Sequence, residues 1–205
     1  MAEPQPPEHR RSREEILSAI RSHQPPGTEL PTLEHQWITY VDRPAQFAKV
    51  LTEIGGQWVR VPDAAAAHSA LGEIPAYREA KQIISRVLGI GNSNVDLTNI
   101  SDPHALEPID FAVLSGEFGV AENAAIWVTD RNLPLRALYF IVQHLALVLP
   151  AGEIVDNMHQ AYERLKFNRA EFGAFIAGPS KTADIEQSLV IGAHGSRSLT
   201  VFCVG

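Results

Sequence analysis

The feature that most constrains this chain is a series of short, nearly continuous apolar runs. They lie at Phe111–Leu114, Ala124–Thr129, Leu145–Leu149, Phe175–Ala177 and Leu199–Val204. A strand with one face in water alternates apolar and polar residues, whereas a strand covered on both faces reads as an unbroken apolar run. Gln57–Val61 and Arg86–Ile90 read as further short strands. Helical patterns lie between several of these runs. Pro44–Ile54 puts Phe47, Ala48, Leu51 and Ile54 on one face and ends at Gly55-Gly56. Asp63 caps an alanine-rich helix that runs to about Leu71. Ile154–Leu165 carries Ile154, Met158, Ala161 and Leu165 on one stripe, and Ala183–Val190 reads as another helix. Alternation of this kind predicts an α/β fold, an open and mostly parallel sheet flanked by helices. Hydrophobic residues make up 45% of the 205, enough to fill such a core.

The first 34 residues differ. They hold six of the 14 prolines around one short amphipathic segment. Ser12 and Glu15 have capping-box spacing, and Ile16, Leu17 and Ile20 form a stripe. A helix of about ten residues is marginal alone and must dock, on its own body or on a partner. The expected organisation is an N-terminal helical arm over 1–34 and an α/β domain over 35–205. Glu14 and Glu15 follow Arg10, Arg11 and Arg13 where a secretory peptide needs apolar residues. The run Ala137–Ala151 is broken by Gln143 and His144 and is short of the ~20 residues a spanning helix needs. A cytoplasmic protein without a membrane span is expected.

Composition excludes several classes of function. With 17 basic and 24 acidic side chains the net charge is −7, which argues against a general nucleic-acid binder. One cysteine, Cys203, cannot build an iron–sulfur or multi-thiolate zinc site, so no metal or cofactor is expected on this chain. Gly89-Ile-Gly91-Asn-Ser-Asn94 departs from the dinucleotide fingerprint at its third glycine and reads as a turn. There is no phosphate-binding loop, no HExxH and no nucleophile elbow, and no two histidines stand four apart.

Two segments carry candidate chemistry. In Gly119-Val-Ala-Glu122-Asn-Ala-Ala, Glu122 lies between two apolar runs, where it serves as a poised acid or base if desolvated, or as an ordinary turn residue. In Gly178-Pro-Ser180-Lys181-Thr182-Ala-Asp184-Ile-Glu186, a strand runs into a predicted helix. Free amides, two hydroxyls and an ammonium there suit a small anion. Asp184 and Glu186 disfavour a polyphosphate and complement the helix dipole. Gly192, His194 and Gly195 follow, with glycines that permit close backbone approach. His144, opening an apolar run, reads as a satisfied strand-end histidine.

The segments GVAENAAIWV, HLALVLPAGEIV and AGPSKTADIEQSLVIGAHGSRSLTVFCV resemble the lactate utilisation protein C family, the LUD-domain proteins. The resemblance runs from about Phe111 to the C-terminus, and the leading helix fits it. Lys181 stands where many relatives have arginine and Ser196 where many have proline; lysine keeps the charge but loses a bidentate fork. The resemblance implies a fold like that of sugar-phosphate isomerases and CoA transferases. It also implies a three-component system oxidising L-lactate to pyruvate, whose iron–sulfur clusters belong to partner subunits. The expected role is an accessory or small-anion-binding subunit, with Glu122 and the 178–186 and 192–195 segments framing the pocket. The competing reading is a stand-alone isomerase- or transferase-type enzyme on a sugar phosphate or acyl-CoA, with Glu122 as base or nucleophile.

Overall fold

The structure, a computed structural model, describes residues 8–25, 27–29, 31–98, 100–131, 133–165, 172–183 and 189–205. The chain divides into two compact units, Met1–Gln36 and Trp37–Gly205. The first contains helix α1 (Glu8–Ser22), whose end is closed by the His23 amide bonding to Ala19 O and Ile20 O at 3.2 Å.

The second unit is built on a parallel sheet. Its strands are β1 (Gln57–Val61), β2 (Ile83–Ser85), β3 (Phe111–Ser115), β6 (His144–Pro150) and β11 (Ser198–Val204), in the order β1-β11-β6-β3-β2. Every neighbouring pair is parallel. A smaller mixed sheet has the order β7-β4-β5-β8, from β4 (Phe118–Val120), β5 (Ala125–Thr129), β7 (Ile154–Val155) and β8 (Gly173–Ile176). The mostly parallel α/β architecture expected from the apolar runs is present.

The period-two alternation of a strand sends its side chains to opposite faces. Ala112, Leu114, Leu145, Leu147, Leu149, Leu199 and Val201 face one core, shared with Ile126 and Val128 of the smaller sheet. That core also holds Phe47 and Leu51 of helix α2 (Arg43–Glu53). Phe111, Val113, Ala146 and Phe202 face the other core, with Ala67 and Leu71 of α3 (Ala64–Gly72) and Ala76 and Tyr77 of α4 (Pro75–Glu79). Both faces are dry, which is why the runs lack alternation. The short α5 (Leu138–Ile141) lies between β5 and β6, and the outer face of the smaller sheet, with Phe118 and Val120, packs on Ala161 and Met158 of α6 (Met158–Arg164).

The helix starts follow local chemistry. Asp42 accepts the Ala45 amide at 2.9 Å and Asp63 the Ala66 amide at 2.8 Å. Each carboxylate satisfies an amide that has no partner within its helix and complements the helix dipole. Phe47 and Leu51 are fully buried, each contributing roughly 1.5–3 kcal/mol of transfer free energy. Truncating Leu51 to alanine would cost about 2–5 kcal/mol.

Three expected elements differ. Arg86–Ile90 is not a strand: Gly89 and Gly91 adopt left-handed φ of 77° and 75°, and the Ile90 amide closes a turn on Val87 O at 3.2 Å. The strand lies just before it, at Ile83–Ser85. The helix expected from Ile154 starts at Met158. Ile154 and Val155 instead pair with Gly119 and Val120, and Asn157 accepts the Gln160 amide at 3.0 Å as the cap. The helix expected over Ala183–Val190 is absent at both of its ends. Here β9 (Lys181–Ala183) and β10 (Leu189–Ile191) pair antiparallel, with Thr182 opposite Val190. Thr182, Val190 and Ile191 are β-branched residues that favour a pleated surface.

Candidate functional site

The 178–183 and 189–196 segments come together through antiparallel strand pairing, where the sequence reading puts Gly192, His194 and Gly195 at the far end of a helix. The Ser180 amide donates to Ser196 O at 2.9 Å and the Gly192 amide to Ser180 O at 3.0 Å. Lys181 Nζ donates to Ile54 O at the C-terminal end of α2. A cation there complements the negative end of the helix dipole and satisfies a carbonyl that has no partner within the helix. Gly178 is in the left-handed region (φ 72°), and a Cβ on it would come within 3.1 Å of Ile54 O. Gly192 is also left-handed (φ 73°). A Cβ on Gly195 would sit 3.0 Å from Ser180 Cβ and 3.2 Å from Phe140 O, so this glycine lets two loops approach. His194 is exposed. Asp184 and Glu186 lie outside the described residues.

Glu122 is half-buried in the turn between β4 and β5, with its amide donating to Asp156 O at 3.1 Å. The turn contains Ala124 at a left-handed φ of 54°, and Asn123 Oδ1 accepts the Ala125 amide at 3.0 Å. Asp156 in turn holds Arg43 and the Tyr40 amide, at the start of α2. Glu122 and Lys181 are therefore tied to opposite ends of an 11-residue helix, which is about 16 Å long.

A cleft of about 360 Å³ opens at the carboxyl ends of β2 and β3. In open α/β sheets, ligands bind outside the carboxyl ends of the parallel strands. Its walls carry Arg86, Ser115, Glu117, Thr129, Arg131 and Tyr139. Glu117 Oε1 accepts the Thr129 hydroxyl at 2.6 Å and lies 4.0 Å from Arg131 Nη1. The Tyr139 hydroxyl donates toward Thr129 O at 3.1 Å, with Ser115 O at 3.4 Å. Burial, then the charges of Glu117 and Asp130, push the Tyr139 phenol up to about 12. It stays protonated at any physiological pH. In a chain of net charge −7, a cleft with two guanidiniums against one carboxylate is a local positive feature.

The motif reading missed these residues, yet a signal exists. Each charged group lies within two residues of a strand's end: Ser85-Arg86, Ser115-Gly116-Glu117 and Thr129-Asp130-Arg131. His144 is satisfied, as read from the sequence: its Nδ1 is 2.8 Å from Ser198 Oγ across the β6–β11 pair. Burial, then Arg197, lowers its pKa below the ordinary histidine value.

A mostly parallel sheet flanked by helices and backed by a smaller mixed one defines an α/β type of domain. The chain belongs to the LUD domain family, whose sequence model matches residues 102–204. It is 28% identical over 197 residues to lactate utilization protein C of Geobacillus thermodenitrificans, a match spanning 90% of this chain and 76% of that one. It is 31% identical over 112 residues to lactate utilization protein C of Geobacillus kaustophilus, spanning 52% of this chain and 43% of that one. With the Bacillus pumilus protein of the same name, the match spans 45% of the relative's length at 29% identity. Among solved structures, a DUF162 family protein from Deinococcus radiodurans superposes with a TM-score of 0.65 at 17% identity, covering 82% of this chain and all of that one. That likeness supports the fold. Among the described residues no helix is long and apolar enough to cross a membrane.

Proposed function

We propose that this chain is a component of an L-lactate utilisation system in the cytoplasm, an accessory subunit that binds a small organic anion. Its partners in this reading carry the iron–sulfur clusters that take electrons from lactate. The observation that supports it is the similarity to lactate utilization protein C along 90% of the chain. The division of labour fits the composition: the single cysteine is fully buried and cannot hold a four-thiolate cluster.

The cleft between Arg86 and Arg131 is the place we assign to the anion, ahead of the β9–β10 hairpin. The cleft brings two guanidiniums to one lining, where the hairpin offers the ammonium of Lys181. Guanidiniums suit a carboxylate because their planar fork matches its two oxygens.

Deleting the coding sequence and growing the strain on L-lactate as sole carbon source tests the role. Loss of growth, restored by the wild-type chain, is the expected result, with iron–sulfur proteins recovered when a tagged chain is purified. Unchanged growth on L-lactate would overturn the reading.

A further inference from the structure

The segment that follows β5 walls two clefts. Thr129, Arg131 and Tyr139 line the first, while Asp130, Arg136 and Phe140 line a second of about 430 Å³, which shares no lining residue with it. That volume lies within the range of small-molecule pockets. The apolar part of the second cleft is built on Phe140 and Phe172, with Leu135 and Pro134 beside them. The two ring centroids are 6.2 Å apart and the rings are perpendicular, at 90°. Rings set this way make a corner: an inserted aromatic ring meets the face of one and the edge of the other, the arrangements that ring quadrupoles favour. Phe140 is 42% exposed, so the corner is open to a guest. The backbone beneath it is fixed, since the Phe140 amide donates to Ala137 O at 2.9 Å.

Two charges of opposite sign complete the lining. Arg136 Cζ lies 5.2 Å from the Phe172 ring centroid, over its face. A cation–π contact holds the guanidinium in place through its charge and leaves its N–H donors unspent. Asp130 lines the same cleft, and among the described residues no ion pair joins it to Arg136. A guanidinium and a carboxylate that share a cleft without pairing suit a guest carrying both complements. The planar fork of Arg136 matches the two oxygens of a carboxylate, and the Asp130 carboxylate accepts from an ammonium. We propose that this second cleft binds a free aromatic α-amino acid, with its ring in the Phe140–Phe172 corner, its carboxylate on Arg136 and its ammonium on Asp130. Asp130 opposes a guest that is only anionic, Arg136 opposes one that is only cationic, and an amino acid without a ring leaves the corner unfilled. None of these groups lines the cleft assigned to the organic anion, so the two sites stand or fall separately.

The experiment is calorimetric and thermal-shift titration of the purified full-length chain with L-phenylalanine, L-tyrosine and L-tryptophan. The best of the three is expected to bind about tenfold or more tightly than L-alanine, which lacks the ring. It should exceed by a similar factor its own analogues without the ammonium or without the carboxylate, such as 3-phenylpropionate and phenethylamine for phenylalanine. Arg136→Gln should weaken the amino acid by about tenfold and leave the decarboxylated analogue within about twofold. Asp130→Asn should weaken the amino acid and spare the deaminated analogue. Phe140→Leu, which keeps an apolar side chain but removes the ring, should erode the preference over L-alanine, with the unliganded melting temperature unchanged within a few degrees. The analogue series on the wild-type chain needs no variant, so it decides the matter even if a substitution prevents folding. No binding of any aromatic amino acid, equal binding of L-alanine or of either truncated analogue, or an affinity that survives Arg136→Gln would each overturn the assignment.

Discussion

Arg43 Nη2 lies 2.9 Å from Asp156 Oδ2, and Asp156 is 1% exposed. The other oxygen of the same carboxylate accepts the Tyr40 amide at 2.8 Å. Next to it, Asn157 donates to Ile38 O at 2.8 Å, and Trp37 stacks on His159 with ring centroids 3.4 Å apart. Residues 37–43 are thereby fastened along the β7–α6 junction by one buried charge, two side chain–backbone hydrogen bonds and a ring stack.

Asp156→Ala should cost about 2–3 kcal/mol, because it leaves the Tyr40 amide without its acceptor and Arg43 without its counter-charge. Arg43 is half in water, so Arg43→Ala should cost less, about 1 kcal/mol. Urea unfolding midpoints of the two variants against wild type check both figures.

Stability should also fall in acid. Burial alone would raise the Asp156 pKa, but the hydrogen bonds from Arg43 and the Tyr40 amide outweigh it and hold the carboxyl below its ordinary 3.8. A group whose pKa is lowered on folding contributes fully above its unfolded value and loses that contribution as pH drops through the folded one. Wild type should therefore lose stability below about pH 4, and Asp156→Asn should flatten that part of the curve. Denaturation midpoints at pH 7, 4 and 3 give the comparison, and an unaltered acid limb in the variant would refute the assignment.

Tyr139 makes the opposite prediction, at high pH. Its phenol is pushed up to about 12 on folding, so the folded state favours the protonated form. That contribution is complete below about pH 10 and is lost as pH rises toward 12. Ultraviolet titration of the native protein should show one phenolate forming near pH 12, and Tyr139→Phe should remove that late step alone.

Lys181→Ala should cost about 0.5–1 kcal/mol through the loss of a cation on the last carbonyls of α2. It should leave L-lactate binding unchanged, whereas loss of binding would return the site to the hairpin. Titration calorimetry beside a thermal melt separates the two effects.

Cys203 is fully buried on the central strand β11, and burial pushes its thiol above the ordinary value. A thiol that is neither ionised nor reachable reacts slowly. A chromogenic disulfide reagent should label it only as fast as the chain unfolds, which makes Cys203 a built-in reporter of global opening.

The parallel sheet was legible because burial on both faces leaves its mark in composition alone: the runs at 111–114, 145–149 and 199–204 are dry on each side. The helices starting after Asp42 and Asp63 were legible because their caps are local. The region from 181 to 191 was not, since TADIEQSLV has the spacing of a helix, while Lys181–Ala183 pairs with Leu189–Ile191 and is anchored by contacts to Ser196 and Ile54 that periodicity does not contain. The cleft escaped for a similar reason. Arg86, Glu117 and Arg131 form no motif along the chain, and only the register of β2 with β3 and the hairpin from β4 to β5 brings them to one edge.

The seat of β11 has a consequence for how the molecule is made. β1 has β11 as its neighbour in the sheet, and the pair joins Gln57 to Thr200, 143 residues apart. Until Ser198–Val204 leaves the ribosome, β1 and β6 each present an unsatisfied ladder to the cell, and such edges are templates for aggregation. Closure by so distant a pair is entropically slow, so chaperone dependence should be concentrated in the interval before β11 docks between β1 and β6.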